Sequence, residues 1–245
     1  MSEATKTLIW DMPTRLFHWL LAGGFLIAAF IALVLGDDSR LFPYHAIIGL
    51  IIGLMVLMRL IWGLVGSRYA RFSSFAFDSN EVVAYVKGIL RGESRHYIGH
   101  NPAGAWAIFA MLFLLVGLTI TGLLLSFGNE LVKDIHELFA NVMVLVVALH
   151  ILGVIVHVVR HRENIVASMV HGKKAVDAEA GIQSPHFIAT IVFCAVCVSW
   201  SYGLFSNYDA TSQTTKLPIV GLTVQLGEIE DHGKTDKHYR DHDDD

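Results

Sequence analysis

The sequence predicts an all-α membrane protein: a four-helix transmembrane bundle followed by a fifth, C-terminal transmembrane helix. Three observations carry this expectation. Of 245 residues, 54% are hydrophobic and 16% charged, which is too apolar for a soluble domain of this size. Five stretches, 17–35, 44–66, 103–127, 136–159 and 186–205, are apolar and close to or beyond the ~20 residues that a helix needs to cross a hydrocarbon core. The apolar runs are continuous and do not alternate, which argues against a β-barrel.

Each element follows from its own signals. The N-terminus, MSEATKTLIWDMP, lacks a basic region followed by a short apolar stretch and a cleavage site, so no secretory signal is expected and the first span inserts the chain. Between the second and third spans, Val82, Val83, Val86, Ile89 and Leu90 fall near one face of an expected amphipathic helix on the membrane surface. GHNPAGAW opens the third span: Asn101 can cap it, and Pro102 suits the first helical position, where its missing N–H costs nothing. The fifth span carries Cys194 and Cys197 as C-x-x-C, with no histidine after Cys197. That excludes a thioether haem attachment, and two small residues packing inside a membrane helix are expected in preference to a redox dithiol. With no internal repeat, no Gly-rich phosphate loop and no basic patch interleaved with aromatics, nucleic acid is not expected as a partner.

Basic residues set the orientation. Arg68, Arg71, Lys87, Arg91 and Arg95 lie between spans two and three, and Arg160, Arg162, Lys173 and Lys174 between spans four and five. The positive-inside rule makes both loops cytoplasmic, with the N-terminus inside and the C-terminus outside. The expected location is a bacterial inner membrane. The chain then divides into a bundle at 1–172, a linker and fifth helix at 173–206, and a periplasmic tail at 207–245. From Glu228 to Asp245 the tail carries eight acidic residues against three basic ones. It is expected to be mobile, with His232, His238 and His242 solvated rather than metal-bound, and an acidic tail can steer a basic partner.

Thirteen histidines are sorted by this topology. His96, His100, His161, His171 and His186 sit in or beside cytoplasmic loops, where solvation is the simple expectation. His18, His45, His136, His150 and His157 remain in or near bilayer depth, where ionisable residues are costly and usually functional. His136 and His150 are fourteen residues apart on one helix, hence about 21 Å apart and turned by only about 40°. With alternating helix directions, His45 is level with His136 near the outer side and His18 with His150 near the inner side. His157 reads as interfacial. Each histidine alone reads as a hydrogen-bonded helix-end residue. Two level pairs from different helices form an arrangement that can hold two haems by axial ligation on both faces of each iron, since cofactor sites in bundles are built from facing helices.

Other residues fit around that scheme. Gly23, Gly24, Gly49 and Gly53 offer room for a macrocycle, with close helix packing as the alternative for Gly49 and Gly53. Arg59, fourteen residues after His45, shares its face at the inner level and suits a haem propionate, against snorkelling to the headgroups. Arg15, one turn before His18, has the same two readings with surface anchoring favoured. His100 and Asn101 are candidates for a quinone or propionate contact, with capping as the alternative for Asn101.

WDMPTRLFHW with His18, HAIIG with His45 followed by RLIW at Arg59, HNPAG before the third span, and the histidine pair of the fourth span together resemble the bacterial cytochrome b561 family. That family includes the b-type cytochrome subunits of nickel-iron hydrogenases. The resemblance covers about residues 8–172 and implies a bundle with two b-type haems, with His18, His45, His136 and His150 as axial ligands to iron. It implies electron transfer between membrane quinone and a redox partner such as a cytochrome c, dehydrogenase or hydrogenase subunit. An electron-transfer subunit is expected in preference to a stand-alone superoxide or quinol oxidoreductase, or to a haem-free transporter or scaffold. The fifth helix and the tail lie outside the resemblance.

Overall fold

The computed structural model describes residues 6–93 and 96–227. Arg95 and the acidic tail with His232, His238 and His242 lie outside the described residues. Five helices are long and apolar enough to cross a membrane: α1 (Met12–Phe30), α2 (Phe42–Val65), α4 (Pro102–Ser126), α5 (Lys133–His161) and α7 (Phe187–Ser206). Two shorter helices, α3 (Ser79–Arg91) and α6 (Ile165–His171), sit between them. The chain is a multi-pass helical membrane bundle, as its composition predicts.

Local chemistry sets the helix ends. α1 starts five residues before the apolar run does, because Asp11 accepts the Thr14 N–H at 2.8 Å as a cap and Pro13 occupies the first turn. Beyond Phe30, α1 continues through a π-helical turn, Ile31–Leu35. Asn101 accepts from Gly104 N at 2.7 Å and so caps α4. α3 carries a capping box between Asp78 and Glu81 and ends on Gly92 at φ 89°, the left-handed geometry that glycine adopts without strain.

Packing runs in a chain: α1 on α2, α2 on α4, α4 on α5, with α7 against α1 and α2. α1 and α5 share no extended backbone contact, and residues of both meet through the common core, where Phe17 and Met143 lie in one cluster. Phe17, Ile52, Met55, Leu115, Met143 and Phe193 form the main core. Cys194 and Cys197 are free thiols, and Cys197 is buried in that core. Small residues bring backbones close: a Cβ on Gly53 would fall 2.5 Å from Thr119 Cγ2, and Gly117 is covered by the Phe139 ring. Gly53 therefore serves helix packing, whereas Gly23 and Gly49 open onto free space and Gly24 faces Ile52.

Both ends of the bundle are capped. At the basic face, which carries α3 and both basic loops, β1 (Lys6–Leu8) pairs antiparallel with β2 (Lys173–Ala175). At the opposite, hairpin face, β3 (Thr214–Lys216) pairs with β4 (Thr223–Gln225), Thr215 opposite Val224. Val224, Leu226 and Leu217 pack there on Ile47 and Leu204. One expectation changes. Residues 207–227 are a packed hairpin rather than the start of a tail, because alternate side chains bury on the ends of α2 and α7. The expected amphipathic helix forms as α3: it buries Tyr85 and Gly88 against the protein and leaves Val83, Val86 and Leu90 exposed, as a helix lying on a membrane surface would.

Candidate functional site

The hairpin-face half brings His45 of α2 and His136 of α5 together, with ring centres 6.4 Å apart and planes at 80°. His45 Nδ1 lies 2.9 Å from the Ala28 carbonyl, which can only accept, so Nδ1 carries the proton. His136 Nδ1 lies 2.8 Å from Thr121 Oγ1, whose own hydroxyl donates to the Gly117 carbonyl at 2.8 Å. Thr121 therefore accepts from His136. Both imidazoles are thereby set with Nδ1–H anchored and Nε2 left as a lone-pair donor, the state of a metal-ligating histidine. Two imidazole nitrogens bound at about 2.0–2.1 Å on opposite sides of one metal place their ring centres about 6 Å apart. The observed separation fits.

Ala28 and Thr121 were not visible as partners in the sequence. Thr121 had one signal, a hydroxyl in an apolar span, and the π-helical turn that follows Ala28 belongs to a class that concentrates at functional sites. Gly122 completes the setting: a Cβ there would sit 3.4 Å from His136 Cε1.

At the basic-face half, His18 of α1 and His150 of α5 lie within electrostatic reach of each other. Each is half-buried. Among the described residues, five buried polar atoms in this half have no partner: Thr14 Oγ1, His18 Nδ1, Arg59 Nη1, His100 Nδ1 and His157 Nδ1. Buried polar groups are almost always satisfied, so this concentration fits a ligand that brings acceptor oxygens. Among the described residues, no group of three or more His, Cys, Asp or Glu can hold a metal ion by itself, and the histidines gather as pairs.

The remaining predicted residues take up distinct positions. Arg59 is buried rather than snorkelling: Nη2 donates to the Ala70 carbonyl at 3.1 Å and the guanidinium lies 5.0 Å from the centre of the Phe72 ring. Arg15 donates to the Val170 and Asp11 carbonyls. Asn101 spends its oxygen on the α4 cap. His157 meets Glu163 at 3.3 Å and stacks on His161. His100 departs from the solvated loop position expected of it. Its ring lies between Trp10, at 4.8 Å, and Phe75, at 4.3 Å.

That packing has an electrostatic consequence. Burial, with Arg59, Lys174 and His150 nearby, pushes His100 down to about 3 from its ordinary 6.5. Between those values the unfolded chain binds a proton that the folded chain does not, so the His100 contribution to stability falls as pH drops from about 6.5 towards 3. His100→Phe, which keeps the ring packing, is expected to flatten the decline of thermal midpoint over that window. An unchanged slope would show that His100 is solvated in the fold. Glu163 adds a weaker effect of the same sign. Burial raises its carboxyl, but the bond and charge of Lys174, 3.0 Å away, and His157 outweigh it and hold it below its ordinary value.

Comparison with known proteins identifies the family. The sequence profile described as prokaryotic cytochrome b561 matches residues 9–172, the segment that holds all four paired histidines. A protein of Bradyrhizobium diazoefficiens named "Probable Ni/Fe-hydrogenase B-type cytochrome subunit" is 24% identical over 68% of this chain and 85% of its own length. A protein of the same name from Cupriavidus necator is 23% identical over 68% and 86%, and one from Azotobacter vinelandii is 29% identical over 49% and 59%. No solved structure gives a significant match. The chain belongs to the prokaryotic cytochrome b561 family, and is a multi-pass membrane protein of electron transfer that carries haem b.

Proposed function

We propose that this chain relays electrons across a bacterial inner membrane between the quinone pool and a periplasmic redox protein, with two haem b groups held at two depths. His45 and His136 would hold one, His18 and His150 the other, and the bundle at 1–172 would be the electron-carrying unit. The observation that carries the reading is the facing His45–His136 pair with both Nδ1 atoms anchored. Haem b between two imidazoles supplies a one-electron carrier with no open coordination position, so relay is favoured over oxygen activation.

The chain's own residues do the rest. Ala28 and Thr121 lock ring orientation and tautomer, and raise the basicity of Nε2. Arg59 and His100 present unsatisfied donors to a propionate carboxylate or a quinone carbonyl at the inner level, with Arg15 and the Asn101 amide at its rim. The excess of Lys and Arg on the basic face supports an orientation with that face in the cytoplasm, which would put the hairpin and the acidic tail in the periplasm. The names of the relatives make a hydrogenase-type subunit the first partner to test, with a cytochrome c second.

Thr121→Val keeps the shape and removes the acceptor for His136 Nδ1–H. Haem affinity is expected to fall by about 10–100-fold, the usual cost of losing such a partner, read as faster haem transfer to apomyoglobin. Equal transfer rates would remove Thr121 from the site. For the relay itself, a short-chain quinol added to purified protein in detergent should reduce the haem, and Arg59→Leu should slow that reduction. Failure of every quinol to reduce it, with dithionite succeeding, overturns the quinone assignment.

A further inference from the structure

The β3–β4 turn raises a separate question. Leu217 N–H donates to the Leu222 carbonyl at 2.8 Å, Gly221 N–H to Leu217 at 2.9 Å and Val220 N–H to Pro218 at 2.9 Å. The last bond closes a γ-turn around Ile219, which sits at φ 74°. That conformation is rare and strained, and a β-branched residue is the wrong kind for it; glycine or asparagine would fold there with less cost. The side chain placed at this strained point is nevertheless fully exposed, with Val220 63% and Leu222 50% exposed beside it. A strained outlier is a pointer to function.

Depth identifies what meets these side chains. Thr215 Oγ1 donates to the Leu204 carbonyl at 2.7 Å, and Pro218 packs on Gly203, where a Cβ would fall 2.6 Å from Pro218 Cγ. Thr215 and Pro218, three residues apart, thus meet adjacent residues of α7, so the chain leading from β3 into the turn runs across the helix. The crossing lies near the last turn of a membrane-spanning helix. That level is marked by an aromatic belt of Tyr202, Phe205 and Tyr44, all exposed, the composition of a membrane–water interface. Ile188, Ile191, Val198 and Tyr202 share one exposed apolar face of α7, which ends beside Gly203, where Pro218 packs.

We propose that the turn at 217–222 is a lipid-inserted anchor, with Ile219, Val220 and Leu222 seated among the acyl chains of the leaflet at the hairpin face. Exposed Lys216 at its root is placed to meet lipid phosphates. The anchor would hold the hairpin down over the ends of α2 and α7. This inference does not depend on the haem sites.

The test uses the full-length, haem-loaded protein with Cys194→Ala and Cys197→Ala, carrying Ile219→Cys labelled with an environment-sensitive fluorophore and reconstituted into phosphatidylcholine vesicles. Doxyl-labelled lipid is expected to quench the label at least twofold more than aqueous iodide does, with blue-shifted emission. Stronger quenching by iodide overturns the proposal, because the turn is then in water. Protection from both quenchers also overturns it, because protein then covers the turn. Val220→Cys, which leaves the strained residue unchanged, provides the same readout if the first variant fails to fold.

Discussion

Replacing His136 with Ala is expected to halve the haem bound per chain, from two groups to one, as counted by pyridine haemochrome against protein. On the proposed reading the effect is large because the imidazole would itself be a ligand, and because its loss would leave the facing His45 Nε2 without a shared metal. His45→Ala should give the same half-loading by removing the other member of the pair. The double variant should be no worse than either single one, since both act on one site. His150→Ala should also halve the count, but by emptying the other level, so His136→Ala with His150→Ala should leave almost none. A count unchanged by His136→Ala would break the pairing of His45 with His136. A wild-type count of one would show that only one level is loaded.

Asp11→Ala is expected to cost about 3–5 kcal/mol, the largest stability loss in the basic-face half, because cap and buried-donor losses of roughly 1–3 kcal/mol each occur together. Asp11 is buried and accepts from Thr14 N at 2.8 Å, from Trp62 Nε1 at 3.2 Å and from Ser67 Oγ. It also lies within electrostatic reach of Arg59. One side chain thus caps α1, ties it to α2 and balances a buried cation. Asp11→Asn retains an acceptor for the cap and should recover part of the loss. Denaturation by SDS titration of the purified protein measures both, and a loss under 1 kcal/mol for the alanine variant would place Asp11 in water.

The two predictions separate the roles of the two ends. At the hairpin face the histidines are anchored by a carbonyl and a hydroxyl, and the bundle beneath them is closed by a strand pair. At the basic face, unsatisfied donors gather around His18 and Arg59, and Asp11 holds the helices that carry them. α7 and the hairpin, which lie beyond the matched segment 9–172, pack on α1, α2 and α4. They brace the half of the bundle that carries His18 and His45.

The sequence by itself determined the five spans, the cap at Asn101, and the spacing that puts His136 and His150 on one face of one helix. Those features are local: span length, cap chemistry and the 3.6-residue period act over a few turns, so fourteen residues between His136 and His150 suffice to set two depths on one face. Only the tertiary structure decided which groups anchor those imidazoles. Ala28 meets His45 and Thr121 meets His136 through the packing of separate helices. In a membrane, moreover, the lipid-facing side of a helix is as apolar as its packed side, so sequence pattern cannot say which face turns inward. For the same reason the burial of Arg59 under Phe72, the enclosure of His100 between Trp10 and Phe75, and the hairpin laid across α7 became visible only once the helices were assembled.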